Sequence, residues 1–128
     1  MDFKLELVPI PVTDVDRAKE FYADKLGFTV DLDVRPHPTE PFRVVQLTPP
    51  GSACSICIGT GVVDTAPGSV QGLHLVVDDI EAARRHLLAH GVDVAEIQEM
   101  TAPGRPSVYY AAFTDPDDNG WTLQQLPY

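Results

Sequence analysis

The stretch Leu73–Val94, LHLVVDDIEAARRHLLAHGVDV, decides the fold, because it spells strand, helix and strand in succession. Leu73, Leu75 and Val77 alternate with His74 and Val76, the period-two pattern of a half-buried strand, and Asp78-Asp79 ends it. Either aspartate can accept from the free N–H groups of a helix's first turn, so the strand stops where a cap begins. Ile80, Ala83, Leu87 and Leu88 then recur at helical spacing, with Glu81, Arg84 and Arg85 on other faces. Gly91 follows His90 as a helix-ending glycine, and Val92 and Val94 restart the alternation.

An earlier stretch repeats this unit. Val8, Ile10 and Val12 alternate, Thr13 or Asp14 is the cap, and Val15, Ala18, Phe21, Tyr22 and Leu26 form an apolar stripe. Gly27 stops that helix, and Phe28-Thr29-Val30 opens the next strand. Val12 and Val77, the corresponding strand ends, are 65 residues apart, and Gly27 and Gly91 are 64 apart. Two copies of about half the chain each predict an internal duplication, too long a period for a solenoid.

The rest of the chain completes both copies. Strand Leu5–Val12, helix Asp14–Leu26 and strand Phe28–Val34 lead into the loop Arg35–Pro41, whose three prolines exclude helix and central strand. Strand Phe42–Leu47, a turn at Pro49–Ser52 and strand Ala53–Ile58 follow, and Gly59–Gln71 connects the copies. The second copy continues through Ile97, then a loop at Thr101–Pro106, strand Val108–Phe113, a tight turn at Asp115–Gly120 and strand Trp121–Leu126. Each module is predicted to be β-α-β-β-β.

Composition narrows the function. A chain of 128 residues is expected to be one domain, burying roughly two-thirds of its unfolded surface. Its longest apolar run, around Leu75–Val77, falls far short of the ~18 residues of a membrane span. The opening Met-Asp-Phe-Lys-Leu-Glu lacks the apolar core of a secretory signal, so a cytoplasmic address is expected. This acidic chain, with a formal charge of −10, argues against nucleic-acid binding, which needs clustered Lys and Arg.

Two short motifs resolve to structure rather than chemistry. Cys54 and Cys57 spell C-x-x-C, but Ala53–Ile58 carries no helix cap and is expected to be a strand, where residues three apart face opposite ways. Zinc would need a second ligand pair, and the chain holds no other cysteine. Asp115, Asp117, Asn119 and Gly120 match the first half of an EF-hand loop, but Leu126 stands where the bidentate Glu belongs. The same residues are what a β-turn demands.

Taken together, the modules and the runs at Val12–Phe28, Val77–Ala83 and Phe113–Trp121 (FTDPDDNGW) resemble the vicinal oxygen chelate superfamily, which includes glyoxalase I, bleomycin-resistance proteins and extradiol dioxygenases. The resemblance implies an α+β fold of two β-α-β-β-β modules whose mixed sheets form a cup, helices outside and ligand inside. It implies one domain over residues 1–128, with module 1 at 1–59, a linker at 60–70 and module 2 at 71–128, in a homodimer. Metal-using members hold their ion with His or Glu on inward strand positions. Carried over one by one, those positions are Leu7, Cys57, Gly72 and Thr122, so no metal and no cofactor is expected.

The resulting expectation is a glyoxalase- and bleomycin-resistance-like protein that binds a small apolar or aromatic organic molecule. The alternative is a metal-independent lyase or isomerase using His74 as general acid or base, since unperturbed imidazole titrates near ~6.5. Strand parity points Leu7, Pro9, His74, Val76, Thr122 and Gln124 into the cup, and Leu73, Leu75, Val77 and Leu123 toward the helices. The expected ligand-binding residues are Leu7, Pro9, Cys57, Gly72, His74, Tyr109, Tyr110, Thr122 and Gln124, although adjacency lets only one of Tyr109 and Tyr110 face inward. His86 and His90, four apart on the second helix, are expected to be solvated, and His37 in the proline loop to reach either a ligand or water. Phe42 and Trp121 are expected in the core, and Arg35 and Arg105 at the surface.

Overall fold

Two aspartates start the two helices. Asp14 Oδ1 accepts from the Arg17 backbone N–H at 3.1 Å, and Asp79 Oδ1 accepts from that of Ala82 at 3.1 Å, so in each predicted pair one residue is the cap. The helices they open are α1 (Val15–Glu20) and α2 (Ile80–Ala89). Gly27 and Gly91 end them with φ of +79° and +80°, left-handed values that glycine adopts without penalty.

The computed structural model describes residues 1–37, 39 and 41–127; Pro38 and Glu40 of the proline loop lie outside the described residues. The chain divides into two units, one ending at Ser69 and the other beginning at Val70. In the first, β1 (Leu7–Pro9), β2 (Thr29–Val34), β3 (Arg43–Thr48) and β4 (Ser55–Thr60) form a sheet of order β1-β4-β3-β2. In the second, β5 (Leu73–Val76), β6 (Gln98–Ala102), β7 (Arg105–Thr114) and β8 (Gly120–Gln125) repeat the order as β5-β8-β7-β6. The first strand of each unit runs parallel to its last, and every other pairing is antiparallel. Both units are the predicted β-α-β-β-β module.

Three elements differ from the expectation. The first helix does not run uniformly to Leu26. After Glu20 it widens into a π-helical turn, Phe21–Lys25, closed by Leu26 N–H donating to Phe21 O at 3.1 Å. The wider turn buries two consecutive aromatics: Phe21 meets Tyr22 edge-on, and Tyr22 stacks on Phe28 with centroids 5.7 Å apart. Strand β1 is three residues rather than eight, since Pro9 and Pro11 have no N–H to extend its pairing. No strand forms over Val92–Ile97, where Val94 makes only an isolated bridge to Phe113. Instead β6 begins at Gln98, and the predicted loop at 101–106 contracts to a two-residue turn, Pro103-Gly104, with Gly104 at φ +73°.

Each unit has a core on the helix side of its sheet. In the second, α2 packs on β7 and β8, burying Ile80 and Leu87 with Ala111, Phe113, Trp121 and Leu123. The Asp115–Gly120 segment is the predicted turn. Asp115 Oδ1 accepts from the N–H groups of Asp117 and Asn119, each at 2.9 Å, and Asn119 Oδ1 accepts from Val70 N–H at 3.2 Å. Asp118 takes φ +67° there, a conformation Asp tolerates better than most non-glycine residues.

In the first unit the strongest polar tie is Arg43. Its guanidinium donates to both oxygens of Asp33, at 3.0 and 2.8 Å, and to Asp16 on α1 at 2.7 Å; Lys19 donates to the same Asp33 at 2.8 Å. The arrangement links β2, β3 and α1. The bonds from Arg43, then those from Lys19, hold the Asp33 carboxyl well below the usual carboxylate range, although burial acts the other way. Since the folded-state value is depressed, the stabilisation is complete above the unfolded carboxylate's pKa of about 3.9 and is lost as pH falls below it. Arg43→Met, which keeps the apolar stem, is expected to cost about 2–4 kcal/mol in urea unfolding at pH 7. The gap to the parent should narrow steadily below pH ~4. A pH-independent gap, or a loss under ~0.5 kcal/mol, contradicts this role for the ion pair.

Candidate functional site

The register of β5 against β8 sets the open face of the second sheet. His74 lies opposite Thr122, and Val76 opposite Gln124, while Leu73 and Leu75 lie opposite Trp121 and Leu123. Alternation then separates the two sets: Trp121 and Leu123 are buried under α2, whereas His74 and Val76 are exposed. The β7–β8 register extends the same face, pairing Gln124 with Tyr110 and Thr122 with Ala112. Beyond β7, Gln98 of β6 lies opposite Tyr110, and Met100 opposite Val108.

These side chains line a cavity of about 440 Å³ on the second unit. Tyr110, Met100, Ala112 and Ala95 supply most of its apolar wall, and His74, Thr122, Gln98 and Glu96 supply its polar groups. Arg84 of α2 holds one wall in place by donating to the carbonyls of Ala95 at 2.9 Å and Val94 at 3.1 Å. Such a volume suits a small organic ligand, and apolar walls with a few spaced polar groups are the usual composition of such sites.

His74 is the best-defined polar group on this face. Its Nδ1 lies 2.7 Å from Gln124 Oε1, and its ring meets that of Tyr110 edge-on, at 79° with centroids 5.7 Å apart. Tyr110 is therefore the tyrosine that shares a face with His74. Tyr109 occupies the opposite face, beside a separate hollow of about 460 Å³ near Asp79 and Gln125 at the start of α2. Gln125, on the same side, accepts from Ile80 N–H at 2.9 Å and adds to the helix cap.

Of the expected ligand-binding residues, His74, Tyr110 and Thr122 come together in the cavity, and Gln124 joins them through His74. Leu7, Pro9 and Cys57 lie in the first unit, where Leu7 pairs with Ser55 and Pro9 with Cys57. Near them Ser55 Oγ is 2.6 Å from Thr48 Oγ1, which also donates to Asp31, a polar cluster that strand parity alone did not single out. Both cysteines are free thiols, and burial pushes the Cys57 pKa up, which lowers its reactivity.

The glyoxalase/bleomycin resistance protein/dioxygenase superfamily model matches residues 4–123. The chain belongs to that superfamily. Among solved structures, TnmS3, described as an antibiotic binding protein from Streptomyces sp. CB03234, is 33% identical with a TM-score of 0.78 and covers 99% of this chain and 98% of its own. A glyoxalase/bleomycin resistance protein from the same Streptomyces strain is 32% identical, TM-score 0.75, covering 95% of this chain and 100% of its own. A superfamily member from Sphaerobacter thermophilus DSM 20745 is 26% identical, TM-score 0.79, covering 98% of each chain. A search of curated proteins returned no match.

The superfamily's metal chemistry requires donors that these positions do not supply. Leu7 has no donor atom, Cys57 is a buried thiol with a raised pKa, and Thr122 offers a neutral hydroxyl. Gly72 has no side chain, and its φ of +81° would strain any other residue placed there. Among the described residues, no group of three or more His, Cys, Asp and Glu side chains is arranged to hold an ion. The donor set does not fit the family's divalent metal.

Strand parity places His74, Thr122 and Gln124 on this face but leaves out Met100, Gln98, Glu96, Ala95 and Ala112, which also line the cavity. The usable signal was Pro103-Gly104, a hairpin turn that places Gln98–Ala102 beside β7. Elemental analysis of the purified protein is expected to find no stoichiometric zinc, nickel or iron, and EDTA should leave its Tm unchanged. One equivalent of a transition metal per chain, or destabilisation by the chelator, contradicts the assignment of Leu7, Cys57, Gly72 and Thr122 to the ligand positions.

Proposed function

We propose that this protein binds a small, apolar or aromatic organic molecule on the open face of its second sheet, in the manner of an antibiotic-sequestering protein. The observation that carries the reading is the cavity of about 440 Å³, walled by Tyr110, Met100, Ala112 and Ala95 with His74 and Thr122 as spaced polar groups. The 33% identity over nearly all of a chain described as an antibiotic binding protein supports it. Tyr110 is its principal apolar anchor, because an aromatic ring gives large contact area for little lost rotamer freedom. We read residues 1–128 as one domain of a cytoplasmic homodimer; sedimentation at the monomer mass at micromolar concentration would contradict the dimer.

Calorimetry with bicyclic and tricyclic aromatics is expected to give saturable binding, weakened about tenfold or more by Tyr110→Ala while Tm stays within a few degrees. Absence of binding across such a panel contradicts the reading, as does full affinity in the variant.

The His74–Gln124 contact favours one further reading, a metal-independent lyase or isomerase. A base oriented by a second side chain is the arrangement that proton abstraction needs. On that reading the protein accelerates solvent deuterium exchange at the carbons beside the carbonyl of 2-tetralone. The rate is then unaffected by EDTA and falls ~10²–10⁴-fold in His74→Ala. Exchange no faster than the buffer rate contradicts catalysis and leaves the binding reading standing.

A further inference from the structure

We propose that His74 selects aromatic ligands bearing a hydroxyl or N–H donor by accepting from them at Nε2, and that Gln124 is the positioning residue that makes Nε2 the acceptor nitrogen of the neutral ring. The proposal rests on the preceding reading that this face binds a small organic molecule. An amide oxygen accepts hydrogen bonds and cannot donate them. With Gln124 Oε1 at 2.7 Å, Nδ1 is therefore the nitrogen that carries the proton, and in neutral imidazole Nε2 is left with a lone pair.

The ring is restrained twice, by Gln124 at Nδ1 and by the edge of Tyr110, so the lone pair has a fixed direction. Among the described residues no hydrogen bond is made to Nε2, and His74 is exposed and lines the cavity. Thr122 and Gln98 discriminate less by donor or acceptor type, and the Glu96 carboxylate is a second acceptor, off the regular strands. The Thr122 hydroxyl can donate or accept, and the Gln98 amide offers both functions. His74 is the acceptor that Gln124 and Tyr110 hold in one direction. A ligand that covers Nε2 without donating to it desolvates the nitrogen and leaves it unpaired, and a site of this kind rejects analogues lacking the donor far better than it rejects changes of bulk.

The test compares 2-naphthol, 2-methoxynaphthalene and naphthalene, which share a ring system and differ in donor capacity, by calorimetry on the whole chain. The wild type is expected to bind 2-naphthol about tenfold or more tightly than 2-methoxynaphthalene. His74→Phe should reduce that ratio to about one, through a larger loss for 2-naphthol than for 2-methoxynaphthalene. Equal affinities in the wild type overturn the role of His74 but leave the aromatic-binding reading intact. No binding of any of the three overturns both. Nitrogen-15 spectra of the imidazole give a readout that a purely structural role for Gln124 would not move. Wild type should carry its proton on Nδ1, and Gln124→Leu should mix the tautomers and lower the naphthol preference. A wild-type proton on Nε2, or a preference unchanged in Gln124→Leu, overturns the assignment.

Discussion

The parallel pairing of the first and last strands in each module is the constraint on which the remaining geometry depends. A parallel pair cannot be closed by a tight turn, so each module must send its chain through a helix and two further strands before returning. The helix covers one face of the sheet as a consequence. In the second module this pairing sets Leu75 against Leu123 under α2 and leaves His74 against Thr122 on the other side. A slip of β5 by one residue would expose Leu73 and Leu75 and turn His74 toward the core. The hydrophobic core and the candidate site are therefore fixed by one register.

Stability and function divide between the two faces. On the helix side Trp121, Leu123 and Phe113 are nearly inaccessible, and Phe113 and Trp121 stack with centroids 6.4 Å apart. The turn at Asp115–Gly120 and the Arg43–Asp33 pair satisfy polar groups that packing alone would leave unpaired. The open face is looser: Val76 is 59% exposed and Met100 is 61% exposed, although both are large apolar residues on the sheet. Apolar side chains left uncovered around a hollow are suited to contact with a ligand or another surface.

Much of this was legible in the sequence because it depends on local rules. Asp14, Asp79, Gly27 and Gly91 carry capping and helix-ending chemistry in their side chains or in the lack of one. Alternation gave the faces of β5 and β8 correctly. The π-helical turn was not legible, because Phe21 and Tyr22 fit an ordinary helical stripe and only the packing of Tyr22 on Phe28 distinguishes the two. Strand β6 was missed since Gln98–Ala102 is exposed throughout and has no apolar pattern; its backbone pairing with β7 makes it a strand. That omission concealed Met100 and Gln98, which are part of the candidate site. The Arg43 cluster joins residues 10 and 27 positions apart, a separation beyond any local pattern.

The superfamily hosts several chemistries on one scaffold, so function follows from the residues at the site and not from the fold. Among the described residues no group of three or more His, Cys, Asp and Glu is arranged to hold an ion, and one pleat along from Gly72 stands His74, braced by Gln124 and Tyr110. The central claim is that this face of the second sheet receives an aromatic molecule. The chain has two methionines, Met1 and Met100, and only Met100 lines the cavity. A methyl-methionine NMR titration with 2-naphthol tests the claim with one reporter and one internal control. The account predicts that the Met100 signal moves saturably under the ring current of the bound probe while Met1 stays fixed. A stationary Met100 signal under conditions where calorimetry detects binding would contradict it.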